Sequence, residues 1–164
     1  MATIDVRLSP LTAHVRTARL IALAVARRSR VDEDLLDEVR LAVGETCSRA
    51  VGVHIAQGYD EPIQLRLSDD HGHFTIEVVN RGTLADDPTQ SMDLVEASTR
   101  ALADGLPDTA LDEVDTMPAG FGLAVVSGLV EDLFVTNDGE QTTVRMSWPV
   151  VSVGTEALGR LSAG

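Results

Sequence analysis

In the stretch "LAVGETCSRAVGVH", residues 41–54, a carboxylate and a guanidinium stand four residues apart, Glu45 and Arg49, among small and apolar neighbours. On a helix this spacing puts them one turn apart, in the acid-before-base order that favours an ion pair. Farther along, Gly120 and Gly122 in "AGFGLAVV" precede an apolar helical run. Free backbone N–H groups and the helix dipole at such a start receive phosphate, and the same glycines also suit a tight turn packed closely against its surroundings. His71 and His73 flank one glycine, but no third ligand stands at metal-site spacing, so no metal site is expected. The single cysteine, Cys47, excludes an internal disulfide and any multi-cysteine zinc site, and its mid-helix position reads as a small buried residue.

The elements that must position these residues alternate in period. "ATIDVRL" reads as a first strand, and Ser9-Pro10 as the N-cap and first turn of helix 1, which runs to an arginine-rich end. "VDEDLLDEVRLAVGETCSRAVGVHIAQG" opens on acids suited to a helix N-terminus, keeps helical spacing, and stops at Gly58. "PIQLRLSDDHGHFTIEVVN" alternates on either side of Asp69–Gly72, as an antiparallel hairpin does. A Gly-started helix, a strand, an Asn-Asp-Gly turn and a last strand follow from Gly120. Strand hairpins with helices grouped between them predict an α+β two-layer sandwich, an antiparallel-rich mixed sheet covered on one face by helices. A single domain over 1–150 is expected, with a long acidic lid at 83–119, a short helix at 91–103 within it, and a flexible tail at 151–164.

Composition narrows the function classes. At 164 residues the chain has room for one core, 44% of it is apolar, and with only 3% aromatics that core must be Val, Leu, Ala and Ile. No apolar run approaches the roughly 20 residues that span a bilayer, and the N-terminus lacks the order of a secretory signal, so no membrane contact and a cytoplasmic place are expected. All thirteen basic residues are arginine, and the net charge is −13. Charge is polarised: residues 1–30 hold six arginines against Asp5, and residues 83–119 hold nine carboxylates against Arg100. A balance of this sign repels nucleic acid and points to protein partners.

The order of the pieces resembles the GHKL (Bergerat-fold) ATPases: a Glu in a long helix, a hairpin ending in a polar-Gly turn, a lid, then Gly-x-Gly opening a helix. "LDEVRLAVGETCSRAVGVH" and "AGFGLAVVSGLVEDLFV" are similar to the anti-sigma-factor serine kinases of the RsbW/SpoIIAB type. The resemblance implies binding of a sigma factor, ATP-dependent phosphorylation of a STAS-domain anti-anti-sigma factor, and a homodimer. It places Glu45 where the family has the glutamate that serves as general base or orients the reactive hydroxyl. Arg49 stands at the asparagine that coordinates Mg²⁺, and Asn80 at the aspartate that accepts the adenine amino group. Gly82 matches the first glycine of that turn, Leu84 replaces the second, Gly120 and Gly122 match the phosphate turn, and Thr142 matches a nucleotide-side threonine. The family histidine falls on Val53, one residue before His54. A guanidinium has five donors and no acceptor, so Arg49 cannot ligate magnesium.

Each position also has a plainer reading: a helical ion pair for Glu45 and Arg49, a strand-ending turn for Asn80 and Gly82, a β-propensity threonine for Thr142. Because the departures fall on nucleotide contacts, the expected function is a partner-switching regulator with weak or lost ATP and Mg²⁺ binding. The alternative is an active serine kinase. The resemblance puts partner surfaces on helix 1, with Arg16, Arg19, Arg27 and Arg28, and on the lid, with Asp86, Asp87, Asp93, Glu96, Asp104 and Asp108.

Overall fold

A computed structural model describes residues 2–83, 86 and 122–151. Five strands form one sheet: β1 (Ala2–Leu8), β2 (Ile63–Asp70), β3 (His73–Arg81), β4 (Asp132–Asn137) and β5 (Gln141–Pro149), in the order β1-β2-β3-β5-β4. Every pairing among them is antiparallel, so the expected parallel component of a mixed sheet is absent among the described strands. The physical reason lies in the connections. β2 and β3 join through His71-Gly72, both at positive φ (51° and 81°), and two residues of that conformation turn a chain straight back on itself.

Among the described residues three helices accompany the sheet: α1 (Ala13–Arg28), α2 (Leu36–Gln57) and a short α3 (Gly122–Ser127). Helix 1 begins three residues later than the Ser9-Pro10 signal predicts. Ser9 instead forms a turn, its carbonyl accepting from the Leu11 N–H at 2.7 Å and lying 3.0 Å from His14 Nδ1, and the residue before α1, Thr12, makes no side-chain cap. Helix 2 starts through a 3₁₀ turn at Glu33–Leu35, capped by Asp32, whose Oδ1 accepts from the Asp34 N–H at 3.0 Å. It ends as expected at Gly58, which adopts the left-handed conformation (φ 69°) that a helix C-terminus reserves for glycine.

Period-2 alternation sorts the sheet into two faces. Leu65 and Leu67 of β2, Phe74, Ile76 and Val78 of β3, and Val144, Met146 and Trp148 of β5 are buried, and they form one cluster with Val39, Val43, Cys47 and Ala50 of α2. Helix 1 lays Val15, Ala18, Ala22 and Ala26 against this layer. The small residues bring α1 close to α2, and a Cβ on Gly44 would stand 2.3 Å from Arg19 Nε. Gly44 therefore makes room for an arginine. Arg19 is half-buried for that reason and does not join Arg16, Arg27 and Arg28 on the exposed side of α1. Cys47 is buried as expected, and burial pushes its thiol up to about 12, against a smaller lowering by Arg19.

Trp148 joins the layers at the far end of β5, its Nε1–H donating to the Leu129 carbonyl at 3.1 Å and its ring 6.2 Å from that of Phe74. Truncation to alanine removes the largest fully buried side chain and that bond together. Trp148→Ala should cost about 3–5 kcal/mol, read as a lower urea midpoint at unchanged slope.

Candidate functional site

The inner face of the sheet is apolar along most of its length and turns polar at one end. Asn80 of β3 lies opposite Thr142 of β5, and Thr142 opposite Asn137 of β4, so the register alone lines up three polar side chains across adjacent strands. Asn80 and Thr142 are buried, with 1% and 0% of their surface exposed. The sequence-predicted residues Arg49, Asn80, Gly82 and Thr142 meet here.

Arg49 reaches across from α2. Its Nη2 donates to Asn80 Oδ1 at 2.7 Å, and the Asn80 amide in turn donates to the Arg81 carbonyl at 2.7 Å. Arg49 is 3% exposed and Glu45, one turn earlier, is 7% exposed. Neither side chain lies on a solvated helix face, so a surface ion pair does not describe them. A guanidinium out of water requires fixed acceptors, and the bond to Asn80 is charge-assisted.

Thr142 donates its hydroxyl hydrogen to the Gly82 carbonyl at 2.8 Å and accepts from Asn137 Nδ2 at 2.8 Å. Asn137 Nδ2 also lies 3.3 Å from the Gly82 carbonyl, and the Gly82 N–H donates to the Glu140 carbonyl at 2.7 Å. Gly82 is thereby held from both sides. Its φ of 99° suits glycine, and a Cβ there would stand 2.9 Å from Val53 Cγ1 of α2. The glycine is needed for turn conformation and for close approach to the protein's own helix.

Asn137 escapes sequence reading because the Asn-Asp-Gly stretch accounts for itself as a turn: Asn137 Oδ1 accepts from the Gly139 N–H at 2.8 Å. Its second role, through Nδ2, exists only once β4 and β5 are paired. Leu84 and Gly120 lie outside the described residues, as do the lid acids apart from Asp86 and the tail beyond 151. Asp86 caps its own loop, with Oδ2 accepting from the Thr83 N–H at 2.7 Å and from the Thr83 hydroxyl at 3.0 Å. Gly122 is the first residue of α3.

His54 sits one residue past the family offset and is fully buried. Elsewhere the histidines serve the surface: His71 Nδ1 lies 2.7 Å from Asp70, and His73 Nε2 lies 3.2 Å from Glu131. Among the described residues no three His, Cys, Asp or Glu side chains gather as a metal site would.

The described strands and helices thus form a two-layer antiparallel sandwich whose contact between long helix and sheet turns polar at one end. The family model for the histidine kinase-like ATPase domain matches residues 8–148, and the chain belongs to that family. In fold it is similar to the RsbU and RsbW domains of Rv1364c from Mycobacterium tuberculosis, with TM-score 0.59 at 16% identity over 94% of this chain and 35% of that one. The present chain thus spans about a third of that protein. It is also similar to a chain of the SiaB–SiaC complex from Pseudomonas aeruginosa, with TM-score 0.56 at 14% identity over 88% of this chain and 89% of that one. Among curated proteins none matches the chain in sequence.

Membership in an ATPase-domain family implies ATP and Mg²⁺. Arg49, which the resemblance sets at the magnesium position, is a donor-only guanidinium, and its hydrogen is accepted by the side-chain oxygen of Asn80, which the resemblance sets at the adenine position. On that correspondence Arg49, which has no acceptor, does not fit as a magnesium ligand.

The Arg49–Asn80 bond is testable as a coupled pair. Asn80→Ala should cost about 1.5–3 kcal/mol by removing an acceptor from a buried cation. In a double-mutant cycle with Arg49→Met, the coupling between the two positions should exceed about 1 kcal/mol in chemical denaturation.

Proposed function

We propose that this chain is a regulatory binding module, an anti-sigma-factor-like protein that holds a sigma factor or a STAS-domain anti-anti-sigma factor without requiring a nucleotide. The observation that carries the reading is the buried Arg49–Asn80 bond, in which an internal cation engages the group that would meet adenine and stands where a magnesium ligand would. On this reading Arg49 and Asn80 are bound to each other where the resembled family binds metal and adenine. ATP and Mg²⁺ binding are weak or lost on this reading.

Helix 1 supports a protein partner. Its buried stripe is spent on α2, and its outer side exposes Arg16, Arg27 and Arg28 around Leu20, which is 61% exposed. On a chain of net charge −13 this is a basic surface with an apolar centre, suited to an acidic segment of another protein. A solved fold relative is itself part of a protein complex, SiaB–SiaC. The reading places the chain in the cytoplasm, where sigma factors act. Among the described residues no helix is long and apolar enough to cross a membrane.

Titration calorimetry with Mg·ATP should give no binding near the micromolar range, about −8 kcal/mol. Sedimentation with purified sigma factors and STAS-domain proteins of the host should give one complex that forms equally with and without Mg·ATP and weakens as salt rises. Arg16→Glu together with Arg27→Glu should weaken that complex at least tenfold, about 1.4 kcal/mol, while leaving the thermal midpoint in place. The same runs read whether the chain self-associates, as the resemblance implies. Tight magnesium-dependent ATP binding, or failure of every candidate partner in both conditions, overturns the reading.

A further inference from the structure

His54 is the last buried residue of α2, and its ring joins three separate pieces of chain. Its Nε2 accepts from the backbone N–H of Arg81 at 3.0 Å, and its Nδ1 lies 3.0 Å from the carbonyl oxygen of Glu61. A nitrogen that accepts from a backbone N–H carries no proton, so the proton is on Nδ1 and is donated to Glu61. The ring is therefore neutral and held in one tautomer. Its own backbone carbonyl accepts from the Tyr59 N–H at 2.8 Å, and the Tyr59 ring meets the imidazole edge to face at 5.7 Å. Arg81 stacks its guanidinium 4.4 Å from the Tyr59 ring centre and pairs with the Glu61 carboxylate.

Arg81 is the residue between the two that matter most at the polar end of the sheet. On one side Asn80 meets Arg49, and on the other Gly82 meets Thr142. The only side chain hydrogen-bonded to the Arg81 backbone N–H among the described residues is His54. A concavity of about 560 Å³ opens at this place, lined by Tyr59, Glu61, Asn80, Arg81 and Gly82 among others.

We propose that His54 is the positioning residue of this corner: its neutral ring holds the end of β3, and with it Asn80 and Gly82, where the bonds to Arg49 and Thr142 need them, and a proton on Nε2 releases that strand end. The logic is one of donors. A protonated Nε2 would point an N–H at the N–H of Arg81, replacing an attraction with a clash of like dipoles and leaving a buried donor without its acceptor. Among the described residues, the charged and titratable groups that face the ring are Glu61, Arg81 and Tyr59. Burial holds the imidazole below its ordinary range, opposed by the Glu61 carbonyl and carboxylate, with Arg81 adding to the lowering. Because the folded value is depressed, the stability His54 contributes is complete above about pH 6.5 and drains as pH falls from there through the folded value. This inference concerns the geometry of the corner and stands whether or not the corner meets a protein partner.

Nitrogen-15 NMR of the full chain tests it. At pH 7.5 the His54 ring should carry its proton on Nδ1 with Nε2 bare, and as pH falls the amide signals of Asn80, Arg81 and Gly82 should move together with the ring's own titration. In His54→Gln, whose side-chain oxygen can take the place of Nε2 and does not titrate, those three amides should stop responding to pH in that interval. In His54→Leu, which removes both bonds, hydrogen exchange at the Arg81 amide should be at least about tenfold faster than in the wild type, with the Gln variant restoring most of the protection. A ring found protonated on Nε2 at pH 7.5, or amides of residues 80–82 that ignore the His54 titration, overturns the proposal. The wild-type titration decides it even if a variant fails to fold.

Discussion

The structure depends on a cation placed where water cannot reach it. Arg49 projects from a helix whose apolar packing is through a leucine, valines, alanines and a cysteine, and its Nη2 finds the side-chain oxygen of Asn80 at 2.7 Å. Burying such a group is costly unless its acceptors are fixed, because in a low-dielectric interior a misplaced acceptor loses much of the interaction while the desolvation cost remains. The end of β3 therefore cannot drift. Much around it serves that requirement: the register that sets Asn80 beside Thr142, the Asn137 and Thr142 side chains on the Gly82 carbonyl, and the close seat of Gly82 on Val53.

This arrangement gives the two layers unequal tasks. Along most of the sheet the contact between α2 and the strands is apolar and tolerant, a surface whose stability scales with buried area. At the Asn80 end the contact is polar and directional, and each group has one partner or two at specified distances. In the histidine kinase-like ATPase domain family to which the chain belongs, this fold is associated with a nucleotide. At the polar end of this chain an arginine bonds to one asparagine, and a threonine to another.

Much of the architecture was legible in sequence because it follows from short-range rules. The hairpin at His71-Gly72, the stop of helix 2 at Gly58 and the last two strands all announce themselves through alternation or through residues that tolerate positive φ. Ser9-Pro10 misled for a local reason: the pair is as good at making a turn as at capping a helix, and the turn ending at Leu11 won. Arg19 misled for a tertiary one. Helical spacing puts it near Arg16, but its guanidinium lies over Gly44 of the neighbouring helix.

What the sequence by itself determined was the order of the described strands and helices and four residues of the polar end, Arg49, Asn80, Gly82 and Thr142, since period, turn chemistry and the position of Arg49 on a helix are all encoded within a few residues of one another. Only the tertiary structure decided what those residues do. Glu45 and Arg49 read equally well as a solvated ion pair until the sheet closes over them, and Asn137 and His54 acquire their roles from strands and loops as many as 55 residues away in the chain, as Asn137 does with Gly82. Whether a polar group stands in water or in a dry interior is a property of everything packed around it, and that environment is set by long-range pairing that no local pattern records.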